Sequence, residues 1–187
     1  MKKYAIAFLL LLIFAPSAFA VNTLVVYQGQ ELAPYSKSAT SVPPPTTTVG
    51  TNLTTGSLSY DAAVLECRSM DLKVPADITS GNVTFYWDWW STGVTSGNVV
   101  WDIRHSGGQA EGASWDTAPT TVAATADAVQ GTVKQETFTT VTETVANLGW
   151  AALDDVTIEV CRNGASGSDT MAGDAELKQF AISIPVA

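Results

Sequence analysis

The residues able to do chemistry are few, and their spacing argues against most reactions. His105 is the only histidine, and Ser106 is the hydroxyl beside it in sequence. Adjacent residues on a strand project to opposite faces, so this pair does not make a nucleophile and its base. Glycoside hydrolysis needs two carboxylates roughly 5–9.5 Å apart across one sugar. Glu66, Asp88, Asp102 and Glu159 all fall on the outward phase of their strands, where a solvated charge is ordinary, so no catalytic pair stands out. Asp154, Asp155, Asp169, Asp174 and Glu176 crowd the last two inter-strand regions, and Asp169, Asp174 and Glu176 are the weak candidates for calcium. Their spacing matches no defined calcium loop, and Asp is a favoured turn residue. No metal site and no cofactor are therefore expected. Exposed aromatics carry more weight: Tyr86, Trp90 and Trp115 lie off the core phase or in a loop, where a ring can stack on a sugar or contact a protein. The competing structural reading is that the N-terminal arm or another subunit covers that outer face.

The elements that must position these residues are strands. The strongest is Asn82 to Ser91, in which Val83, Phe85, Trp87 and Trp89 alternate with Thr84, Tyr86, Asp88 and Trp90, and period two assigns the first set to the core. Asn98 to His105 continues with Val99, Trp101 and Ile103 on one face, and the two segments read as a hairpin across the loop Thr92 to Gly97. Leu58 to Val64, Glu66 to Val74, Thr120 to Ala124, Glu136 to Val145, Asp155 to Asn163 and Leu177 to Val186 supply the rest, and no segment has a convincing helical period. About eight antiparallel strands in roughly 130 residues predict an all-β, two-sheet jelly-roll sandwich.

Residues 1–20 have the order of a secretory signal peptide: Lys2-Lys3, an apolar run from Tyr4 to Phe14, then Ala18-Phe19-Ala20. Cleavage is expected before Val21, because eleven apolar residues fall short of the roughly 20 that span a bilayer. The organisation expected is a signal peptide over 1–20, a β-prone arm and Pro/Thr-rich linker over 21–56, and the jelly-roll domain over 57–187. Within the arm, Leu24, Val25, Val26 and Tyr27 form a strand that needs a sheet edge, either in its own domain or in a neighbour. Export brings the chain into an oxidising compartment, where Cys67 and Cys161 are expected to bridge across neighbouring strands on an outer face. The net charge of −9 repels phosphate backbones and excludes nucleic acid as a partner.

The order VPADITSGNVTFYWDWWS, TSGNVVWDIRH and GWAALDDVTIEVCRNGASGSDTMAGDAELKQFAISI resembles the β-sandwich domains of fibre, tail and head-decoration proteins of tailed phages, from about Ser59 to Ile184. The resemblance implies a fold rather than a site. Two features depart from that family: the signal peptide, which a virion part assembled in the cytoplasm does not need, and the cysteines. An exported relative of the phage domain reconciles them. The function expected is a non-catalytic structural or assembly subunit in the periplasm, at the cell surface or outside the cell. It would be homo-oligomeric or bound to other surface proteins, and not inserted in the membrane. The alternative is a carbohydrate-binding module or adhesin that uses the exposed aromatics.

Overall fold

The computed structural model describes residues 21–28, 32 and 41–187. The expected signal peptide and most of the segment after the first strand lie outside the described residues. Among the described residues ten strands form two antiparallel sheets, one more than the eight domain strands and the arm strand expected: β1 (Val21–Gln28), β2 (Pro45–Val49), β3 (Thr54–Tyr60), β4 (Leu65–Lys73), β5 (Asn82–Ser91), β6 (Asn98–His105), β7 (Thr120–Ala128), β8 (Thr137–Thr144), β9 (Asp155–Asn163) and β10 (Ala175–Val186). The larger sheet runs β2-β3-β10-β5-β8, with β1 also on β10, and the smaller runs β4-β9-β6-β7. A single helical turn, α1 (Val145–Leu148), was not legible as a period. Thr144 caps it by accepting from the Asn147 amide, and Gly149 ends it with φ 64°.

The phase of β5 is as alternation requires. Phe85, Trp87 and Trp89 are fully buried, and so are Trp101 and Ile103 of β6. The expected β5–β6 hairpin is corrected, however. β5 pairs with β10 and β8, whereas β6 pairs with β7 and β9, so the Thr92–Gly97 loop carries the chain from one sheet to the other. Both strands have an apolar face to bury, and facing each other across the core satisfies them as well as lying side by side. Trp89 and Trp101 meet there edge to face at 5.9 Å, and Trp101 meets Tyr60 at 5.2 Å. Gly97 makes the crossing feasible: its φ is +102°, and a Cβ there would lie 2.7 Å from the Thr170 carbonyl oxygen.

Much of the stretch read as arm and linker is sheet. Pro45 opens β2, an edge strand that tolerates its missing donor, and β2 pairs with β3. Upstream, Leu32 is buried in the core, and the Arg68 guanidinium donates to the carbonyls of Leu32 and Pro43. β1 completes the chain's own sheet, antiparallel to β10 from Val21↔Val186 to Gln28↔Gln179.

Cys67 and Cys161 are joined, as expected, across the register pair of β4 and β9 with Cα atoms 4.1 Å apart. Both are fully buried, so the outer face they occupy is not a solvated one. Asp102 and Glu159 of the same face are buried too: Asp102 accepts from Arg104 at 2.9 Å and from the Asn163 amide at 3.3 Å. Outward phase predicts a charge in water only where nothing packs against the sheet, and here polar neighbours pack on one another.

Candidate functional site

The outer face of the larger sheet collects the unusual side chains. β5 presents Tyr86, Asp88 and Trp90 on that face, and β8 sets Phe138 opposite Asp88. Phe138, 70% exposed, is therefore the diagonal neighbour of Tyr86, which is also exposed. Sequence alternation along β8 alone carried too little core character to single Phe138 out. β10 flanks β5 on the other side, and its register shifts between Leu177 and Gln179. A bulge adds one unpaired residue and re-aims it. Lys178 is that residue, and its ammonium bonds the carboxylate of Glu136. Since β10 and the approach to β8 lie on opposite flanks of β5, this ion pair spans the strand that carries Asp88 and Trp90. Burial, and next the charge of Glu136, push the Asp88 carboxyl above its ordinary range, while Lys178 opposes them.

Trp90 corrects the expectation of an exposed ring, since it is only 3% exposed. The turn between β2 and β3 folds over it, leaving a cavity of about 130 Å³ lined by Thr48, Leu53, Thr55, Trp90, Lys134 and Glu136. Thus residues of the expected linker cover Trp90, while Tyr86 and Phe138 on the same face stay exposed, so the competing reading of a covered face holds for Trp90 alone. Lys134 stitches the lid. Its amide donates to the Ser91 carbonyl and its ammonium to the Val49 carbonyl, each at 2.7 Å, with a φ of 63° that costs a non-glycine residue roughly 1–3 kcal/mol. The indole Nε1 of Trp90 is buried with no partner among the described residues.

The structure does not bring Trp115 to this face. It is 85% exposed in the β6–β7 loop, where its carbonyl accepts from Gln109, and Gln109 pairs with Asp155 beside the smaller sheet. The acids considered for calcium are engaged elsewhere. Both oxygens of Asp169 meet Arg162, the oxygens of Glu176 accept from Ser57 and Ser59, and Asp174 accepts from Ser59 at 3.3 Å. Cys67, Glu159 and Cys161 place ligand atoms within 4.8 Å of one another, but the two sulfurs are bonded to each other.

His105 and Ser106 serve the fold. His105 Nδ1 accepts from the Gly107 amide at 3.1 Å and from Trp150 Nε1 at 3.4 Å, while the Ser106 hydroxyl donates to the Gly107 carbonyl. An acceptor at Nδ1 requires the neutral ring, and burial lowers its pKa below the ordinary value. The unfolded chain then binds the proton first, so stability is complete above about pH 6.5 and declines as pH falls toward the lowered folded-state value. Melting temperature measured from pH 7.5 to 5 should fall more steeply in the wild type than in His105→Asn, whose amide oxygen accepts without titrating. Equal slopes would show that His105 does not set this dependence.

No family model matches the chain, and no curated protein matches it. The fold is shared with solved structures. A family 35 carbohydrate binding module from Clostridium thermocellum aligns with a TM-score of 0.50 and 13% identity, over 86% of this chain and 97% of that one. A family 35 module from an environmental isolate aligns at 0.51 and 10% identity, over 87% and 98%. The Arthrobacter globiformis T6 isomalto-dextranase complexed with panose aligns at 0.52 and 11% identity, over 85% of this chain but 23% of that one. At such identities the likeness is one of fold, an all-β jelly-roll sandwich. None of these three is a phage fibre, tail or decoration protein.

Proposed function

We propose that this chain is a non-catalytic glycan-binding domain whose ligand lies on the outer face of the larger sheet. One observation carries the reading: Tyr86 and Phe138 present rings on adjacent strands around Asp88, with the Lys178–Glu136 pair across the same strand. Flat rings stack on the apolar faces of sugars, and nearby charged groups bond their hydroxyls. The jelly-roll fold shared with carbohydrate binding modules supports this over the phage-like structural role. The disulfide fits an oxidising compartment, and among the described residues no helix is long and apolar enough to cross a membrane. In the same reading residues 1–20 are removed on export, the arm begins at Val21, and the ligand is met outside the cytoplasm.

Screening the exported protein against oligosaccharides and insoluble polysaccharides, followed by titration calorimetry, tests this. Tyr86→Ala and Phe138→Ala should each weaken binding at least about tenfold, the loss expected when a central aromatic contact is removed. Trp115→Ala should bind as the wild type does. If Trp115→Ala abolishes binding while the other two bind normally, the site is in the β6–β7 loop. A wild type that binds no glycan overturns the function.

A further inference from the structure

β1 is held by one neighbour. Its eight residues pair with β10 in unbroken register, and among the described residues it pairs with no other strand. On the same side of β10, β3 covers only Ala175–Leu177, and β5 on the other side reaches only Ser183, so among the described residues β1 is the second ladder partner of Gln179–Ser183 and the one ladder partner of Ile184–Val186. The seat is apolar: Phe180, Ile182, Ile184 and Val186 of β10 are buried, and Val25 of β1 packs against the core.

Three features suit β1 to a seat in another molecule. Edge strands are ordinarily protected from pairing by Lys, Pro or a bulge, and VNTLVVYQ has none of them. The arm has its own root at Leu32, which is buried and bonded through its carbonyl to Arg68, so the domain keeps hold of the arm without β1. Only Gly29-Gln30-Glu31 join β1 to that root, a length of roughly 10 Å when extended. Finally, β1 starts at the residue expected to follow signal cleavage, which leaves a free end that need not thread through a loop.

We infer that Val21–Gln28, seated here in its own domain, exchanges into the β10 seat of a second copy when the chain is concentrated. The register pairs are the same in either arrangement, so the intramolecular form is favoured only by its effective concentration, on the order of millimolar for a short tether. Exchange is head to tail, and unless the rotation closes a ring it produces an open filament. The inference does not rest on the glycan site.

The test uses the register pair Leu24↔Ser183. Exported protein carrying L24C and S183C is unfolded with its native bridge intact, refolded either at a few micromolar or near about 1 mM, and treated with a short bis-maleimide. Exchange predicts cross-linked monomer from the dilute sample and a ladder of dimers and larger species from the concentrated one, with neither single variant giving the ladder. Cross-linked monomer alone at both concentrations overturns it. So does the absence of any cross-link in protein that has refolded, because β1 would then occupy neither seat.

Discussion

Replacing Cys67 and Cys161 together with Ala is expected to lower the free energy of unfolding by about 4–5 kcal/mol. The bridge closes a loop between residues 94 apart, and restricting an unfolded chain of that length is worth about that much on the loop-entropy model. The site amplifies the effect. Among the described residues β4 is an edge strand that, apart from an isolated bridge between Ser41 and Glu66, pairs only with β9, so the disulfide staples the edge to the sheet. Both sulfurs are buried, and their removal also leaves unfilled volume. A typical domain has roughly 5–15 kcal/mol in total, so the variant should unfold at a much lower guanidinium midpoint, with a larger slope because its unfolded chain is less compact. A loss under about 1 kcal/mol, with unchanged slope, would show that the unfolded state is already compact around these residues.

The second large effect is at Arg162. Its side chain is fully buried and every N–H has an acceptor. Nε and Nη2 hold the two oxygens of Asp169 at 3.0 and 2.8 Å, Nη1 holds the Tyr60 and Gly173 carbonyls at 3.0 and 2.7 Å, and Nη2 holds the Met171 carbonyl at 2.8 Å. The guanidinium thus fastens the β9–β10 loop to β9 and β3. Arg162→Met leaves the Asp169 carboxylate buried without its counter-charge, and should cost about 3–5 kcal/mol. Arg162→Lys should recover little, since an ammonium offers three donors without the planar fork. Adding Asp169→Asn to Arg162→Met should restore part of the loss, because the uncompensated charge is the larger penalty. Denaturant unfolding of the three variants reads this out. A double variant no better than Arg162→Met would mean the carbonyl bonds, not the ion pair, carry the effect.

Some of this was written in the chain itself. Alternation along Asn82–Ser91 and Asn98–His105 named the buried tryptophans, because a strand's two-residue period is a local property. Cys67 and Cys161 are the two cysteines of a chain with an export signal, and their shared outward phase permits a bridge; that β4 and β9 lie side by side is shown only by the fold. Tyr86 was legible as an exposed ring for the same reason.

Tertiary structure decided the rest. Phase says which way a side chain points but not what lies over it, so Trp90 looked exposed until the β2–β3 turn closed above it, and Glu159 looked solvated until its sheet face packed. Period two is also silent on which sheet a strand joins, which is why β5 and β6 read as a hairpin and fold as opposite walls of the core. Phe138 became a candidate only through its register beside Asp88, and Lys178 only through the bulge in β10. Strand character is set by neighbours along the chain. A site is set by cross-strand register, coverage and bulges, which depend on residues as distant in sequence as Thr48 and Trp90 meeting in space.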